Sequence, residues 1–270
     1  MYLRAKLNLS KWWQTIKISW SKETAYRLNF FMQITGPVIV FFFINYNIWS
    51  SIYGNDSTLI IKGHTFSQMI NYHAWSMIVG MLAKGHMSFN LSEDIRLGRI
   101  SSYLIYPFNF WEFHTAGFIA FQCLQLIISC ISLTCLLLLN IIQVPSLNIL
   151  FMGISYTFFV SIFWFGIQYL LGLVAFWLEE TWILRVMFNI VTAFLSGAFF
   201  PLDLYPEWIA NILKYTPFPY LIYYPIKTFS GEYNPFPNGF IIMSAWIIII
   251  IMFNKLIWKK GIKHYTAAGM

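Results

Sequence analysis

Long apolar segments, separated by short polar ones, account for most of the chain. A membrane-spanning helix needs about 20 consecutive apolar residues, because the hydrocarbon core of a bilayer is about 30 Å thick. Six segments approach or exceed that length; they cover residues 28–49, 65–83, 113–140, 148–178, 182–200 and 239–258. The pattern therefore predicts an all-α, polytopic membrane protein in which residues 1–270 form a single transmembrane domain with six transmembrane helices.

The first two predicted spans depart from a plain apolar helix. The first contains the dipeptide Gly36-Pro37, which predicts a kink, since proline removes a backbone hydrogen bond and crowds the preceding turn. The second is the most polar, because it includes Gln68, Asn71 and His73. None of the six spans carries a charged residue near its middle. That pattern counts against an ion-coupled transporter, which keeps ionisable groups at the bilayer midplane.

The first 27 residues predict a helix that lies in the membrane interface. Lysines interrupt a set of apolar residues that recur at helical spacing within residues 3–22: Leu9, Trp13, Ile16 and Trp20. A basic helix with tryptophan on its apolar side lies along a membrane rather than across it. We therefore predict an interfacial helix within residues 1–27, with Trp12, Trp13 and Trp20 as anchors, and no cleavable signal peptide. A solvated basic tail is the alternative interpretation.

Two connections between the predicted spans are unusual. Residues 84–111 are too long for a tight turn and contain a charged, helix-competent stretch, SEDIRLGRISSYLIYP. Residues 201–239 contain seven prolines interleaved with Trp, Phe, Tyr and Ile, which makes this segment too apolar for a free loop. Short re-entrant helices that dip back into the bilayer satisfy such a composition, provided that other protein covers their backbone. The sequence thus predicts re-entrant helices between the fifth and sixth spans.

Composition supports the membrane assignment and excludes other classes. Hydrophobic residues make up 59% of the chain and charged residues only 10%, whereas a soluble domain carries about 25% charged residues. The net charge of +7 reflects lysines and arginines gathered at the chain ends and in one internal loop. That distribution favours an anionic membrane surface over nucleic acid as the partner. The three cysteines lie in one apolar stretch, which argues against a disulfide framework.

The positive charges also predict the orientation of the chain. Lysines and arginines concentrate in the N-terminal segment, in residues 84–111, after the fourth span and in the C-terminal tail. The opposite side carries only Lys62, Lys214 and Lys227. By the positive-inside rule, both termini lie in the cytoplasm. Termini on the same side require an even number of spans, which agrees with six.

The sequence contains no recognisable catalytic or nucleotide-binding motif. A phosphate-binding loop of the Walker A type requires a Gly-Lys dipeptide, which is absent. The histidines are scattered, so His64, His73 and His86 do not have the spacing of a metal site. Glu112 and His114 form the only compact acid–base pair. We therefore predict that the chain is not an enzyme and binds no cofactor or metal; any ATP that drives it is bound by another protein.

Two stretches resemble signatures of the permeases of type-2 ABC exporters. Residues 94–107, DIRLGRISSYLIYP, resemble the cytoplasmic segment between the second and third spans of that family. Residues 195–208, LSGAFFPLDLYPEW, and residues 214–232, KYTPFPYLIYYPIKTFSGE, resemble its fifth-span end and external re-entrant helices. Together with the interfacial helix and the six spans, the resemblance covers the whole chain and is greatest for a small bacterial subgroup.

The resemblance implies that residues 84–111 couple the chain to an ATPase. The residues that would dock on the partner, and that a short charged helix could present to a groove, are Glu93, Asp94, Ile95, Arg96, Gly98 and Arg99. It also implies a re-entrant gate in residues 201–239 and at the end of the fifth span. The gate residues are Gly197, Phe200, Pro201, Pro206, Trp208, Pro217 and Pro219.

The resemblance further implies a complex in a bacterial inner membrane. Two copies of an ABC ATPase bind ATP and Mg on the cytoplasmic side, and a second permease, identical or homologous, completes the pathway. Few charges and many aromatic residues suit an amphiphilic cargo: a drug, a lipid-linked molecule or a peptide. The alternatives are an ion-coupled secondary transporter, a membrane-embedded transferase that uses Glu112 and His114, or a non-transporting membrane anchor.

Overall fold

The computed structural model describes residues 9–25, 27–54, 59–84, 89–105, 109–142 and 145–265. In these ranges the regular structure is helical, apart from one isolated bridge between Ile61 and His64. The predicted all-α fold class is thus confirmed. Parts of the predicted interfacial segment (residues 1–8 and 26) and of the predicted coupling segment (residues 85–88 and 106–108) lie outside the described residues.

The first predicted span is one continuous but irregular helical rod. It consists of α2 (Arg27–Val40), a π-helix (Phe41–Tyr46) and α3 (Asn47–Tyr53), preceded by α1 (Leu9–Ala25). The chain stays helical through Pro37, and the backbone changes register one turn later, in the π-helix. Because proline cannot donate the bond that its position requires, an altered hydrogen-bond register close to it is physically reasonable.

The remaining helices follow the predicted spans and the two long connections. They are α4 (Phe66–Lys84), α5 (Phe89–Arg96), α6 (Ile100–Ile105), α7 (Phe110–Leu138), α8 (Leu147–Leu173), α9 (Trp182–Leu195), α10 (Glu207–Leu213), α11 (Phe218–Leu221), α12 (Tyr223–Phe229) and α13 (Asn238–His264). One 3₁₀ turn (Val174–Phe176) extends α8, and another (Leu202–Leu204) precedes α10. Helix α9 ends five residues before the predicted boundary, because a turn begins at Ser196.

Three described helices are long and apolar enough to cross a membrane by length and composition. They are Phe110–Leu138, Leu147–Phe176 and Asn238–His264. Helix α9 is apolar but has 14 residues, and α4 has 19 residues with a more polar composition. The fold is therefore that of an all-helical, multi-pass membrane protein.

Helix α8 lies at the centre of the fold, and three of its glycines receive side chains from other helices. A Cβ atom at Gly153 would lie 2.5 Å from the ring of Phe229 in α12, and one at Gly172 would overlap the side chain of Leu91 in α5. At Gly166 the neighbour is Ile250 of α13, at 2.9 Å. Helices α5, α12 and α13 approach α8 closely at these points, where any larger residue would push them away.

Helix α1 packs along α7. Trp20 contacts a small cluster formed by Met81, Leu124 and Ile128, and Ser19 faces Gly117 of α7. Trp12 is partly buried, whereas Trp13 is 59% exposed and has the Lys17 ammonium 5.3 Å from its ring centre. The amphipathic helix is thus present; its position in a membrane interface stays a prediction.

Candidate coupling and gating sites

The predicted coupling segment folds as two short helices joined by a tight turn. Helix α5 ends at Arg96 and α6 begins at Ile100, and Gly98 adopts φ +73° between them, a backbone conformation that side chains other than glycine rarely adopt. Three apolar side chains, Leu91, Ile95 and Ile100, are buried against α7 and α8. The segment is therefore anchored on the helical bundle and does not hang free as a loop.

Asp94 is the centre of a polar cluster beneath this turn. Its carboxylate accepts hydrogen bonds from Arg99 Nη1 at 3.2 Å and Tyr103 Oη at 3.3 Å, and His114 Nε2 lies 3.8 Å away. Arg99 also bonds Glu93 at 3.1 Å. Burial raises the pKa of the Asp94 carboxyl above its usual value, and the bonds from Arg99 and Tyr103 oppose this only in part.

The prediction that Asp94 is presented to a partner protein is wrong for this residue. Its side chain is only 7% exposed because it lies beside the apolar face of α5, where its contacts with Tyr103 and His114 join α5 to α6 and α7. Ile95 is buried as well. The surface at the turn is formed instead by Leu97, which is 50% exposed, and by the half-exposed guanidinium groups of Arg96 and Arg99.

Two polar side chains, Arg185 and Tyr265, tie the coupling segment to distant parts of the chain. Arg185, near the start of α9, donates hydrogen bonds to Ser92 of α5 and, at 2.7 Å, to Thr181. The hydroxyl of Tyr265, just after α13, donates to the Gly98 carbonyl at 2.6 Å. Together these contacts make the coupling segment a junction of four helices.

The acidic pair after α8 faces this junction. Glu180 Oε1 lies 3.4 Å from Arg96 Nη1, so the two partly exposed side chains connect the α8–α9 loop to the end of α5. In the sequence, Glu179 and Glu180 stand at the end of the fourth predicted span and Arg185 follows them. That pattern fits either a solvated turn with a local ion pair or a gate or coupling contact. The geometry of Glu180 favours the second interpretation.

At the other end of α9, the chain turns back at Gly197, which adopts φ +84°. The Tyr72 hydroxyl donates to the Gly197 carbonyl at 2.7 Å, and the Tyr223 amide donates to the Ser196 carbonyl at 3.0 Å. A side chain at Gly197 would meet Tyr72 Oη at 2.9 Å. Both the backbone conformation and the lack of space therefore require glycine here.

This turn lies beside the middle of α4. The Tyr72 hydroxyl contacts the turn from the N-terminal side of α4. Lys84 contacts it from the C-terminal end of the helix, where Lys84 Nζ lies 3.5 Å from Ser196 Oγ. Tyr72 and Lys84 are about 18 Å apart along α4 at ~1.5 Å per residue. The segment that follows Gly197 therefore starts within the bundle, which favours the predicted re-entrant path.

The other predicted gate residues divide into a buried and an exposed group. Pro201, Pro217 and Pro219 are buried, whereas Phe200, Pro206 and Trp208 are exposed. Trp208, at the start of α10, is 67% exposed, and the Phe200 ring lies edge-on to Trp49 at 6.3 Å. The prolines stand before or at the start of the short helices, where a missing amide proton costs least.

A second polar cluster surrounds Asp203 in the segment between α9 and α13. Its carboxylate accepts a hydrogen bond from Tyr223 Oη at 2.6 Å, lies 3.2 Å from Lys227 Nζ and lies 3.5 Å from His64 Nε2. Lys227 also bonds Glu232 at 2.6 Å. Burial lowers the pKa of the Lys227 ammonium, but Glu232 and Asp203 outweigh burial, so its pKa is raised overall.

The histidines and Glu112 occupy separate places in the described structure. Glu112 accepts the Asn109 amide at 3.2 Å in a capping box at the start of α7, whereas His114 faces Asp94. His73 lies against Trp49, and His64 faces Asp203; His86 lies outside the described residues. Among the described residues, no cluster of His, Cys, Asp and Glu could hold a metal ion.

Sequence reasoning missed most of the side chains that anchor these two sites. Tyr72, Arg185, Asp203 and Tyr265 act through partners far away in sequence, and no local pattern marks them. One signal was available, because Leu91 and Ile95 stand four residues apart, the spacing of one helical face. That spacing indicates a buried side for α5, next to which Asp94 lies.

The fold defines a class: an all-helical protein that crosses the membrane more than once. The sequence matches the family described as ABC-2 family transporter protein over residues 29–269. Because that match covers most of the chain, the protein belongs to this family and is a membrane-spanning permease of an ABC transporter. Such permeases are not themselves catalytic and associate with an ABC ATPase. A search of curated protein sequences gave no match.

Proposed function

We propose that the chain is the permease subunit of an ATP-driven exporter, which moves an amphiphilic substrate out of the cytoplasm. The observation that carries this proposal is the junction around Asp94. Its buried side is fixed to α7 and α8, while Arg96, Leu97 and Arg99 remain at the surface. That surface is the docking site for one subunit of an ATPase dimer, which binds ATP and Mg.

In this proposal all six apolar helical segments cross the bilayer, and both termini lie in the cytoplasm. The coupling segment and the basic end of α13 then share the cytoplasmic side. The external side holds α10, α11, α12 and the Asp203 cluster. The hydrogen bond from Tyr265 to Gly98 supports this arrangement, since it joins the end of α13 to the coupling turn.

Closure of the ATPase dimer would move the coupling turn, and the turn has direct routes into the bundle. Leu91 transmits movement to α8 through its contact at Gly172. Ser92 transmits it to α9 through Arg185. A displaced α9 carries the Gly197 turn with it and so changes the start of the re-entrant segment. ATP drives this change only to the extent that it binds one state more tightly than the other.

A cavity in the external half supports an amphiphilic cargo. It measures about 550 Å³ and lies between α4, the start of α8 and α12. Its apolar part includes Trp75, stacked on Phe229 with ring centres 4.6 Å apart. Its polar part includes His64, Lys227 and Glu232. A molecule with one apolar and one polar end matches such a surface. A second permease, identical or homologous, completes the pathway.

The proposal is tested by purifying the tagged chain in a mild detergent and identifying what accompanies it. We expect a soluble protein with a Walker A motif to co-purify with the chain and to be identified by mass spectrometry. Arg96→Glu should reduce its recovery strongly, because that residue lies at the proposed docking surface. Lys214→Glu makes the same change of charge on the exposed Lys214 of the external segment and serves as the control.

Two results would contradict the proposal. One is recovery of the chain alone in a form that still transports after ATP depletion, which would indicate ion-coupled transport. The other is equal ATPase recovery with Arg96→Glu and Lys214→Glu, which would remove the docking role from the coupling turn. Size-exclusion profiles show whether each variant is folded.

A further inference from the structure

A second cavity of about 550 Å³ lies at the opposite end of the bundle, between α6, α7, α8 and α13. Its walls are mainly aromatic and aliphatic, and they include Phe110, Trp111, Tyr169, Ile251 and Trp258. The ring of Trp258 stacks on Phe110 with centres 5.1 Å apart, and Trp111 meets Tyr169 edge-on at 4.6 Å. These contacts hold the wall in place and give the cavity a fixed apolar surface.

Two polar residues of α13 also line this cavity. Asn254 is 3% exposed; its Nδ2 donates to the Gly166 carbonyl at 2.9 Å, while its Oδ1 has no hydrogen-bond partner within the described part of the chain. Lys255 is exposed and makes no ion pair with any described residue. The cavity thus offers one buried acceptor and one cation that forms no ion pair within the described part of the chain.

No carboxylate is among the described residues that line the cavity. The nearby acids are engaged elsewhere: Asp94 bonds Arg99 and Tyr103, and Glu112 caps α7. The last turns of α13 add further cations: Lys259, Lys260 and Lys263. The local charge is therefore positive beside a deep apolar surface. A ligand that complements it has an anionic head and an apolar tail.

We propose that this cavity binds an anionic glycerophospholipid. The phosphate is held by Lys255, a hydroxyl of the headgroup donates to Asn254 Oδ1, and part of an acyl chain lies along Phe110 and Trp258. Free phosphate fits less well, because it would leave the aromatic walls without a partner. The basic end of α13 would face a leaflet whose anionic lipids attract lysine. This inference concerns lipid binding and does not depend on the direction or cargo of transport.

The test uses the full-length chain in lipid nanodiscs with two photoactivatable probes. Phosphatidylglycerol and phosphatidylcholine carry the same diazirine acyl chain, and peptide mapping locates the crosslinks. We expect phosphatidylglycerol to label the peptides that contain Trp111 and Trp258 about fivefold more than phosphatidylcholine, the preference expected for one lysine at an anionic surface. Lys255→Gln should reduce this ratio to about one. Lys263→Gln removes the same charge from the same helix but outside the cavity lining, and it should lower the ratio much less than Lys255→Gln does.

Lys255→Arg separates charge from folding, because it should keep the preference for phosphatidylglycerol that Lys255→Gln loses. Equal labelling by the two lipids in the unaltered chain would overturn the proposal and indicate a site for acyl chains alone. Absence of labelling at these peptides would overturn it too, as would an unchanged ratio in Lys255→Gln. Inorganic phosphate at millimolar concentration should not compete; if it did, the site would be an anion site without lipid selectivity.

Discussion

The two ends of α8 have similar packing contacts and similar polar clusters, but the clusters differ in how far they are exposed. At one end Gly172 receives Leu91, and at the other end Gly153 receives Phe229. Beside each contact lies one aspartate that faces a cation, a tyrosine and a histidine. Asp94 has Arg99, Tyr103 and His114 around it; Asp203 has Lys227, Tyr223 and His64.

The two clusters differ in burial, and therefore in how firmly their contacts are fixed. The Asp94 side chain is 7% exposed, whereas that of Asp203 is 37% exposed. A buried carboxylate costs free energy unless its partners stay in place, so the first cluster requires one arrangement. Exposed ion pairs contribute about 0–1 kcal/mol and rearrange easily. The end of α8 that holds the Asp94 cluster is therefore the rigid end of the protein, and the end that holds the Asp203 cluster can change its contacts at low cost.

The largest expected effect comes from filling the two glycine contacts. Gly172→Leu should displace α5 and Gly153→Leu should displace α12, each costing about 1–3 kcal/mol or more through overpacking. Both should lower the melting temperature in detergent. Only Gly172→Leu should also abolish recovery of the ATPase. If Gly153→Leu abolished it equally, the two ends would not differ in the way proposed. The rescue control is the double variant Gly172→Ala with Leu91→Ala. In it the smaller side chain at position 91 removes the clash that the added methyl group at position 172 would cause.

The next effect separates the two aspartates. Asp94→Ala removes the acceptor of two partly buried hydrogen bonds and should cost about 1–3 kcal/mol. Asp203→Ala breaks contacts at an exposed site and should cost about 0–1 kcal/mol. Thermal unfolding of both variants in the same detergent provides the comparison. Equal losses would show that burial does not distinguish the clusters.

A smaller effect concerns pH. Because burial raises the pKa of Asp94, the folded chain binds this proton more tightly than the unfolded chain does. The resulting stabilisation is complete below the ordinary carboxyl pKa and is lost as the pH rises through the raised value. The melting temperature of the unaltered chain, relative to Asp94→Asn, should therefore increase as the pH falls from neutral toward 4. A constant or decreasing difference would contradict the assigned direction.

The smallest effect is expected at the Lys227–Glu232 pair. Glu232→Gln should cost less than about 1 kcal/mol at low salt. The difference should shrink at 1 M salt, where the Debye length falls to about 3 Å. Melting curves of the unaltered chain and of Glu232→Gln, at low salt and at 1 M salt, measure this difference. A loss that is large or independent of salt would indicate that the Asp203 cluster is held as firmly as the Asp94 cluster.

The sequence predicted where the helices lie better than it predicted what joins them. A helical segment lies at each of the six predicted spans, because runs of about 20 apolar residues leave the backbone few other options in a membrane. Whether all six cross the bilayer stays a prediction. The turn at Gly98 lies within the stretch that resembled a coupling segment. The burial of Asp94 could not be predicted, since it depends on Tyr103, His114 and the faces of α7 and α8.

The same limit applies to the segment between α9 and α13. Its prolines and aromatic residues predicted short helices between the fifth and sixth spans, and α10, α11 and α12 lie there. The end of α9 was placed too late, because hydropathy does not register the bond from Tyr72 to Gly197 that fixes the turn. The Asp203 cluster combines His64, from the connection between α3 and α4, with Tyr223 and Lys227 of α12. Only the folded chain brings these residues together.

The glycine contacts of α8 also restrict which changes in chain length the protein tolerates. Gly153 and Gly172 are about 28 Å apart at ~1.5 Å per residue and belong to one unbroken helix. Inserting or deleting one residue between them would rotate one glycine by about 100° around the helix axis relative to the other. Leu91 and Phe229 could then no longer both pack against a glycine. The number of residues between these two contacts is therefore fixed. The loops on either side of α8 can vary in length.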